Sequence, residues 1–203
     1  AKPHSKEPGS AMHIHQSVVD KRTKQNIFSD KDGKPTALFY GFLGGQQMLL
    51  PKATCLLAPY VNSYRRLVPS GSAPVNVEWG YDNRTTGLRV PVSPPEARRV
   101  ENRLPGADTN PYLVLAASLA CGYLGMKRNL KPRDAISGSA YSSTDRLPQG
   151  LLDAVAEFQE CTDLCEVLGS GFSALYRHIK IAEFDNFMRV ISPWEREHLL
   201  LSV

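Results

Sequence analysis

The chain lacks the loops by which most nucleotide enzymes announce themselves. It contains no G-x-G-x-x-G, no G-x-x-x-x-G-K-[ST] and no G-x-S-x-G. That removes the motif grounds for a dinucleotide-binding doubly wound sheet, a P-loop NTPase or a nucleophile-elbow hydrolase. Cysteine is sparse. Cys55, Cys121, Cys161 and Cys165 show no C-x-x-C spacing, and Cys161 and Cys165 stand at helical spacing with no histidine nearby. Core packing is the expectation for them, with neither zinc nor a disulfide framework, in a reduced cytoplasmic protein. Long apolar runs are also missing, apart from the Ala-rich stretch after Asn110. That stretch carries Ser118, Cys121 and Gly122, and reads as a buried core helix. Charge of one sign is not in excess. The net charge of +4 is mild for a chain of 203 residues, and a nucleic-acid coat is not indicated. Lysines scatter, mostly over residues 2–34, whereas arginines gather between 65 and 103. That grouping points to a site.

What is present is short alternating segments, followed by helices. In "AMHIHQSVV" Met12 and Ile14 fall on one side, with His13 and His15 on the other. "VNVEW" alternates in the same way, as does "TTGLRVP", which sets Arg89 opposite Leu88 and Val90. "ARRVENRLP" puts Val100, Asn102 and Leu104 on one face and Arg99, Glu101 and Arg103 on the other. A helical pattern over 44–60 is interrupted by Pro51. "DTNPY" is a helix start, with Asp108, Thr109 or Asn110 as cap and Pro111 in the first turn of a helix running to about Lys127. That helix is apolar nearly all round, so burial on every side is expected. The last fifty residues read as helical. One stripe is Leu152, Val155 and Phe158, and another is Phe172, Leu175, Tyr176 and Ile179; a capping box stands at Ser192–Glu195. Antiparallel-looking strands followed by helices predict an α+β fold.

The chemistry lies in the strands. Side chains two apart on a strand project from one face at intervals of about 7 Å. Arg99, Glu101 and Arg103 therefore line one face, and Arg89, Arg84, Arg65 and Arg66 are placed to join it. Burying such a run is costly unless anions meet the arginines and a cation meets the acid. Two readings stand: a solvated, salt-bridged outer face, or a site for phosphate, carboxylate and metal together. His13 and His15 likewise read either as an exposed pair or as metal ligands.

Several motifs taken in order resemble the C-terminal part of the catalytic domain of the glutamine synthetase family. They are "GSAMHIHQS", "NSYRRLVPSGSAPV", "NRTTGLRVP" and "RRVENRLPGADTNPYLVLAASLACGYLG", and the likeness runs on to "SPWEREHLLLSV". The forms "PGSAMH", "EWGYDNRT" and "VENRLPGAD" resemble the γ-glutamylpolyamine synthetase branch and its relatives. The resemblance implies an ATP-dependent ligase that forms a γ-glutamyl amide through γ-glutamyl phosphate, with two or three divalent ions, Mg2+ or Mn2+. It implies metal-binding roles for His13 and Glu101 and a glutamate clamp of Arg66 and Arg103, with a backbone contact at Gly9. It gives ATP phosphates and the transferring phosphoryl group to Arg84, Arg89 and Arg99, with Arg84 also catalytic, and places Ser17 near the nucleotide. The partners implied are glutamate with ammonia or a polyamine-like amine, in a homo-oligomer of stacked rings, a dodecamer.

The chain departs from the family at three positions. Ser72 stands where ammonia-using members carry a flap glutamate, which favours a larger amine. Pro8 replaces a substrate-contacting asparagine, and Glu96 replaces a lysine that contacts ATP. The resemblance also implies that residues 1–203 are the C-terminal portion of a catalytic domain. A β-grasp domain and most metal-binding glutamates would precede it, so this stretch alone would not turn over. The competing expectation is a non-catalytic module for nucleotide or glutamate binding or for oligomer assembly.

Overall fold

The computed structural model describes residues 1–69 and 72–200. Ser70 and Gly71 of the "NSYRRLVPSGSAP" loop, and the last three residues of the C-terminal motif, lie outside the described residues. A small sheet is made by β1 (Ile14–Gln16), β2 (Trp79–Tyr81), β3 (Leu88–Val90) and β4 (Val100–Asn102), in the order β1-β4-β3-β2. The helices are α1 (Ala37–Leu49), α2 (Thr54–Leu57), α3 (Val61–Tyr64), α4 (Pro111–Lys127), α5 (Leu151–Glu160), α6 (Thr162–Leu168), α7 (Ser170–Met188) and α8 (Pro193–Leu199). The expected α+β class is what is found. No helix among the described residues is long and apolar enough to cross a membrane.

The strands obey the alternation. Ile14, Gln16, Val100 and Asn102 are buried, while His13 and His15 face out. The register Ile14↔Asn102, His15↔Glu101 and Leu88↔Asn102, Arg89↔Glu101 lays His15, Glu101 and Arg89 in one cross-strand row. Extended by one residue each way, it sets His13 opposite Arg103 and Ser17 opposite Arg99. One expectation fails: β2 and β3 pair parallel, not antiparallel. The turn between them opens at Asp82, which has φ 46°. It carries the chain round so that Leu88 N–H donates to the Glu78 carbonyl and Asp82 N–H to the Val90 carbonyl.

Behind the sheet, α1 packs on α4 in the most extensive helix contact of the chain. Glycines allow it: a methyl built on Gly45 would lie 2.6 Å from the Gly125 Cα. Asn110 caps α4 by accepting from the Tyr112 and Leu113 amides, and Pro111 opens its first turn, as the sequence predicts. The expectation that α4 is buried all round is wrong. Val114, Ala117, Cys121 and Leu124 are buried, but Tyr112, Leu115, Leu119 and Tyr123 are exposed on the opposite side. The C-terminal stripes are narrower than predicted for the same reason. Val155, Phe158 and Tyr176 are buried, whereas Leu152, Leu175 and Ile179 are exposed. Apolar composition says how much surface prefers cover; only packing says which side receives it. Beneath the site face lies a buried polar cluster. Gln46 donates to Gln16 (2.7 Å) and to the Ser118 hydroxyl (2.9 Å), and Asn102 also donates to Ser118 (3.0 Å). It ties β1 and β4 to α1 and α4 from below.

Candidate active site

Glu101 stands at the centre of the polar face. It is only 2 % exposed, and both of its oxygens are occupied. Arg89 Nη1 donates to Oε2 at 2.6 Å and Arg103 Nη1 to Oε1 at 2.7 Å. Burial alone would raise the carboxyl pKa, but the hydrogen bonds from Arg89 and Arg103 outweigh it and hold the group below the usual range. The His13 Nδ1 atom lies 3.3 Å from Glu101 Oε1 and 3.4 Å from Arg103 Nη1. Burial and the neighbouring Arg103 guanidinium push its imidazole below the ordinary histidine value, towards the neutral, ligating form. An imidazole and a carboxylate side by side fit two positions in the shell of a divalent cation. Among the described residues no group of three or more His, Cys, Asp or Glu side chains converges.

Arg66, only 3 % exposed, comes from the segment after α3 and donates from Nη2 to the Leu104 carbonyl. Among the described residues its Nε and Nη1 have no partner, and neither do Arg89 Nε and Arg103 Nε. Four buried guanidinium nitrogens without acceptors are costly in a resting fold and well suited to anions. Arg66 and Arg103 both line a cleft of about 250 Å³ that Gly9, His13 and Ser72 also border. Gly9 is required there, because a methyl on it would sit 2.6 Å from Arg66 Cγ.

The remaining predicted residues divide. Arg99 is half-buried and does not reach His13; its Nε donates to His15 Nδ1 at 3.2 Å. That contact gives His15 a partner other than a metal. Ser17 is exposed beside Arg99. Arg84, on the turn between β2 and β3, is exposed, and no hydrogen bond or ion pair joins it to the Glu101 cluster. Sequence reasoning missed Asp82, whose Oδ1 accepts from Arg89 Nη2 at 2.5 Å. It missed as well the His15–Arg99 contact. The parallel β2–β3 pairing brings Asp82 to Arg89, and no local pattern signals that pairing.

A profile described as the glutamine synthetase catalytic domain matches residues 1–199, and the chain belongs to that family. It is 38 % identical over 201 residues to gamma-glutamylputrescine synthetase PuuA of Escherichia coli (strain K12), covering 98 % of this chain and 42 % of that protein. It is 36 % identical over 201 residues to glutamate–isopropylamine ligase of Pseudomonas sp, covering 96 % and 44 %. The structure of a GmaS/ADP complex superposes with a TM-score of 0.85 at 32 % identity, over 98 % of this chain and 48 % of that one. The chain thus spans somewhat under half the length of the relatives it matches.

Proposed function

We propose that this chain is the C-terminal part of the catalytic domain of an ATP-dependent glutamate–amine ligase, and that it supplies one wall of the active site. The observation that carries the proposal is the set of buried, unpartnered guanidinium nitrogens on Arg66, Arg89 and Arg103 around the Glu101 carboxylate and the His13 imidazole. Such a wall receives anions and a cation together. Family membership supports the ligase reading, and the names of the relatives support an amine partner for glutamate. The ADP-bound neighbour supports a nucleotide.

In this reading Arg66 and Arg103, with the Gly9 backbone, hold glutamate in the 250 Å³ cleft. Arg89 and Arg99 hold the phosphates of ATP, with Ser17 beside the nucleotide. Arg84 stabilises the phosphoryl group in transit. His13 and Glu101 would hold a divalent ion, Mg2+ or Mn2+, which would supply neutralisation of phosphate charge. The γ-carboxylate of glutamate displaces ADP from the terminal phosphorus. The amine nitrogen then attacks the acyl carbon, phosphate leaves, and the amine gives up a proton. The chain's contribution is positioning and charge neutralisation, which is what phosphoryl transfer asks of a protein. Ser72 at the rim of the cleft leaves space where a glutamate would have gathered ammonium, and a substituted amine fits there better than ammonia. The full-length protein is expected to be cytoplasmic and to work as a homo-oligomer of stacked rings, a dodecamer, with a β-grasp domain upstream.

The test is glutamate-dependent phosphate release from ATP by the full-length protein, across ammonia, putrescine, isopropylamine and ethanolamine. Arg103→Ala is expected to lower kcat/KM for glutamate by roughly 10²-fold or more, the scale of a lost contact to charge in the transition state. Full activity in that variant removes the clamp. No phosphate release with any amine removes the ligase.

A further inference from the structure

Arg84 is exposed, but the backbone that carries it is not loose. Its two neighbours, Asn83 and Thr85, turn the other way and fasten the turn to a distant segment of chain, residues 136–140. Asn83 Nδ2 donates to the Ile136 carbonyl at 3.1 Å and to the Gly138 carbonyl at 2.8 Å. The Ala140 N–H donates to Thr85 Oγ1 at 2.9 Å, and the same hydroxyl donates to Asn83 Oδ1 at 2.7 Å. Asn76, buried below, closes the arrangement. Its Nδ2 donates to the Thr85 and Ala140 carbonyls at 3.1 and 3.0 Å, and its Oδ1 accepts from the Gly87 amide at 3.2 Å. Residues 136–140 carry no charged side chain and bring nothing to the reaction face themselves. They run beside β2, where the Ile136 N–H donates to the Trp79 carbonyl at 2.8 Å.

We propose that Thr85 is a positioning residue: its hydroxyl clamps segment 136–140 onto the turn, so that Arg84 projects from a fixed backbone towards the transferring phosphoryl group. Thr85 is where the two chain segments meet, since one hydroxyl both donates within the turn and accepts from the strut. A long, flexible arginine gains from this arrangement. With its backbone held, only side-chain freedom is lost when it meets an anion. The inference rests on the role given to Arg84 under "Proposed function".

The test uses the full-length protein and five variants. Thr85→Val keeps the shape and loses the hydroxyl; Thr85→Ser keeps the hydroxyl. Thr85→Val is expected to lower kcat for phosphate release roughly threefold to tenfold, the size of one net hydrogen bond. KM for glutamate, set at the Arg66 side of the cleft, stays unchanged. Thr85→Ser restores most of the rate. Combined with Arg84→Ala, Thr85→Val costs nothing further, because a residue that acts through another has no effect once that other is gone. Independently of activity, hydrogen exchange at the Ala140 amide speeds up in Thr85→Val and not in Thr85→Ser. Asn83→Ala, which frees the Ile136 and Gly138 carbonyls, gives the same kinetic pattern should Thr85→Val fold poorly. A Thr85→Val enzyme with normal kcat beside an impaired Arg84→Ala overturns the positioning role alone. So does a double variant that loses the product of both effects, or a serine variant as slow as the valine. Normal activity in Arg84→Ala overturns the role of Arg84 itself, and this inference with it.

Discussion

Glu101 remains an anion at 2 % exposure because Arg89 and Arg103 each donate to one of its oxygens. Those arginines in turn each keep one buried donor, Nε, without a partner among the described residues. The cysteines show the opposite logic. Cys55 and Cys121 are fully buried; burial pushes the Cys55 thiol up to about 12 and the Cys121 thiol higher still. All four thiols are free, and Cys161 and Cys165 are only partly covered. Thiolate is the reactive form, so inert buried thiols are expected. Iodoacetamide at pH 8 should label Cys161 in the native protein, Cys165 more slowly because partial burial raises its thiol, and Cys55 and Cys121 only in denaturant. Labelling of Cys55 without denaturant, read by peptide mass spectrometry, would contradict the packing around α2. At this scale much was legible. Alternation alone put Glu101 and Arg103 on one face, because a strand leaves no other choice; the β1–β4 register then brought His13 to them. Asp82 and Asn76 were not legible, because their partners are set by pairings and loops remote in sequence.

Among elements, the α1–α4 contact is the most demanding. Gly41, Gly45 and Gly125 bring two helix backbones together; nothing larger than hydrogen fits at Gly45 and Gly125, and the space at Gly41 is tight. Gly45→Ala should therefore destabilise the chain by about 1–3 kcal/mol through overpacking, despite alanine's better helix propensity. A lowered denaturation midpoint with unchanged slope is the expected reading; a raised midpoint would mean that α1 can step away from α4. The ends of α4 and α8 were legible, since Asn110–Pro111 and Ser192–Glu195 are capping signals written in adjacent residues. The exposed side of α4 was not. Its tyrosines and leucines resemble core residues in composition, and only the position of α1 and the sheet decides which of them are covered.

For the molecule as a whole, the sheet presents one charged face and the helices close the other. The C-terminal helices are docked onto this body through Tyr176, whose hydroxyl donates to the Cys55 carbonyl at 2.8 Å. Lys180 is buried beside it, paired with Glu183 at 2.7 Å and lying over the Tyr60 ring. The charged face holds two candidate ligands for a divalent ion, and no third His, Cys, Asp or Glu joins them among the described residues. A protein limited to residues 1–203 is therefore expected to fold but to release no phosphate from ATP with glutamate and any amine. The full-length protein is expected to do so in the same assay. Turnover by 1–203 alone would show that the wall described here is the entire site.

The sequence by itself determined which residues share a face, where the helices begin, and which family the chain resembles. All of these follow from short-range periodicity, capping chemistry and motif order, which do not depend on distant contacts. The tertiary structure alone decided that β3 lies parallel to β2, that Asp82 joins Arg89, that Arg99 turns to His15, and that α4 is covered on one side only. Those outcomes depend on which segments, far apart in the chain, compete successfully for the same hydrogen bonds and the same apolar surface.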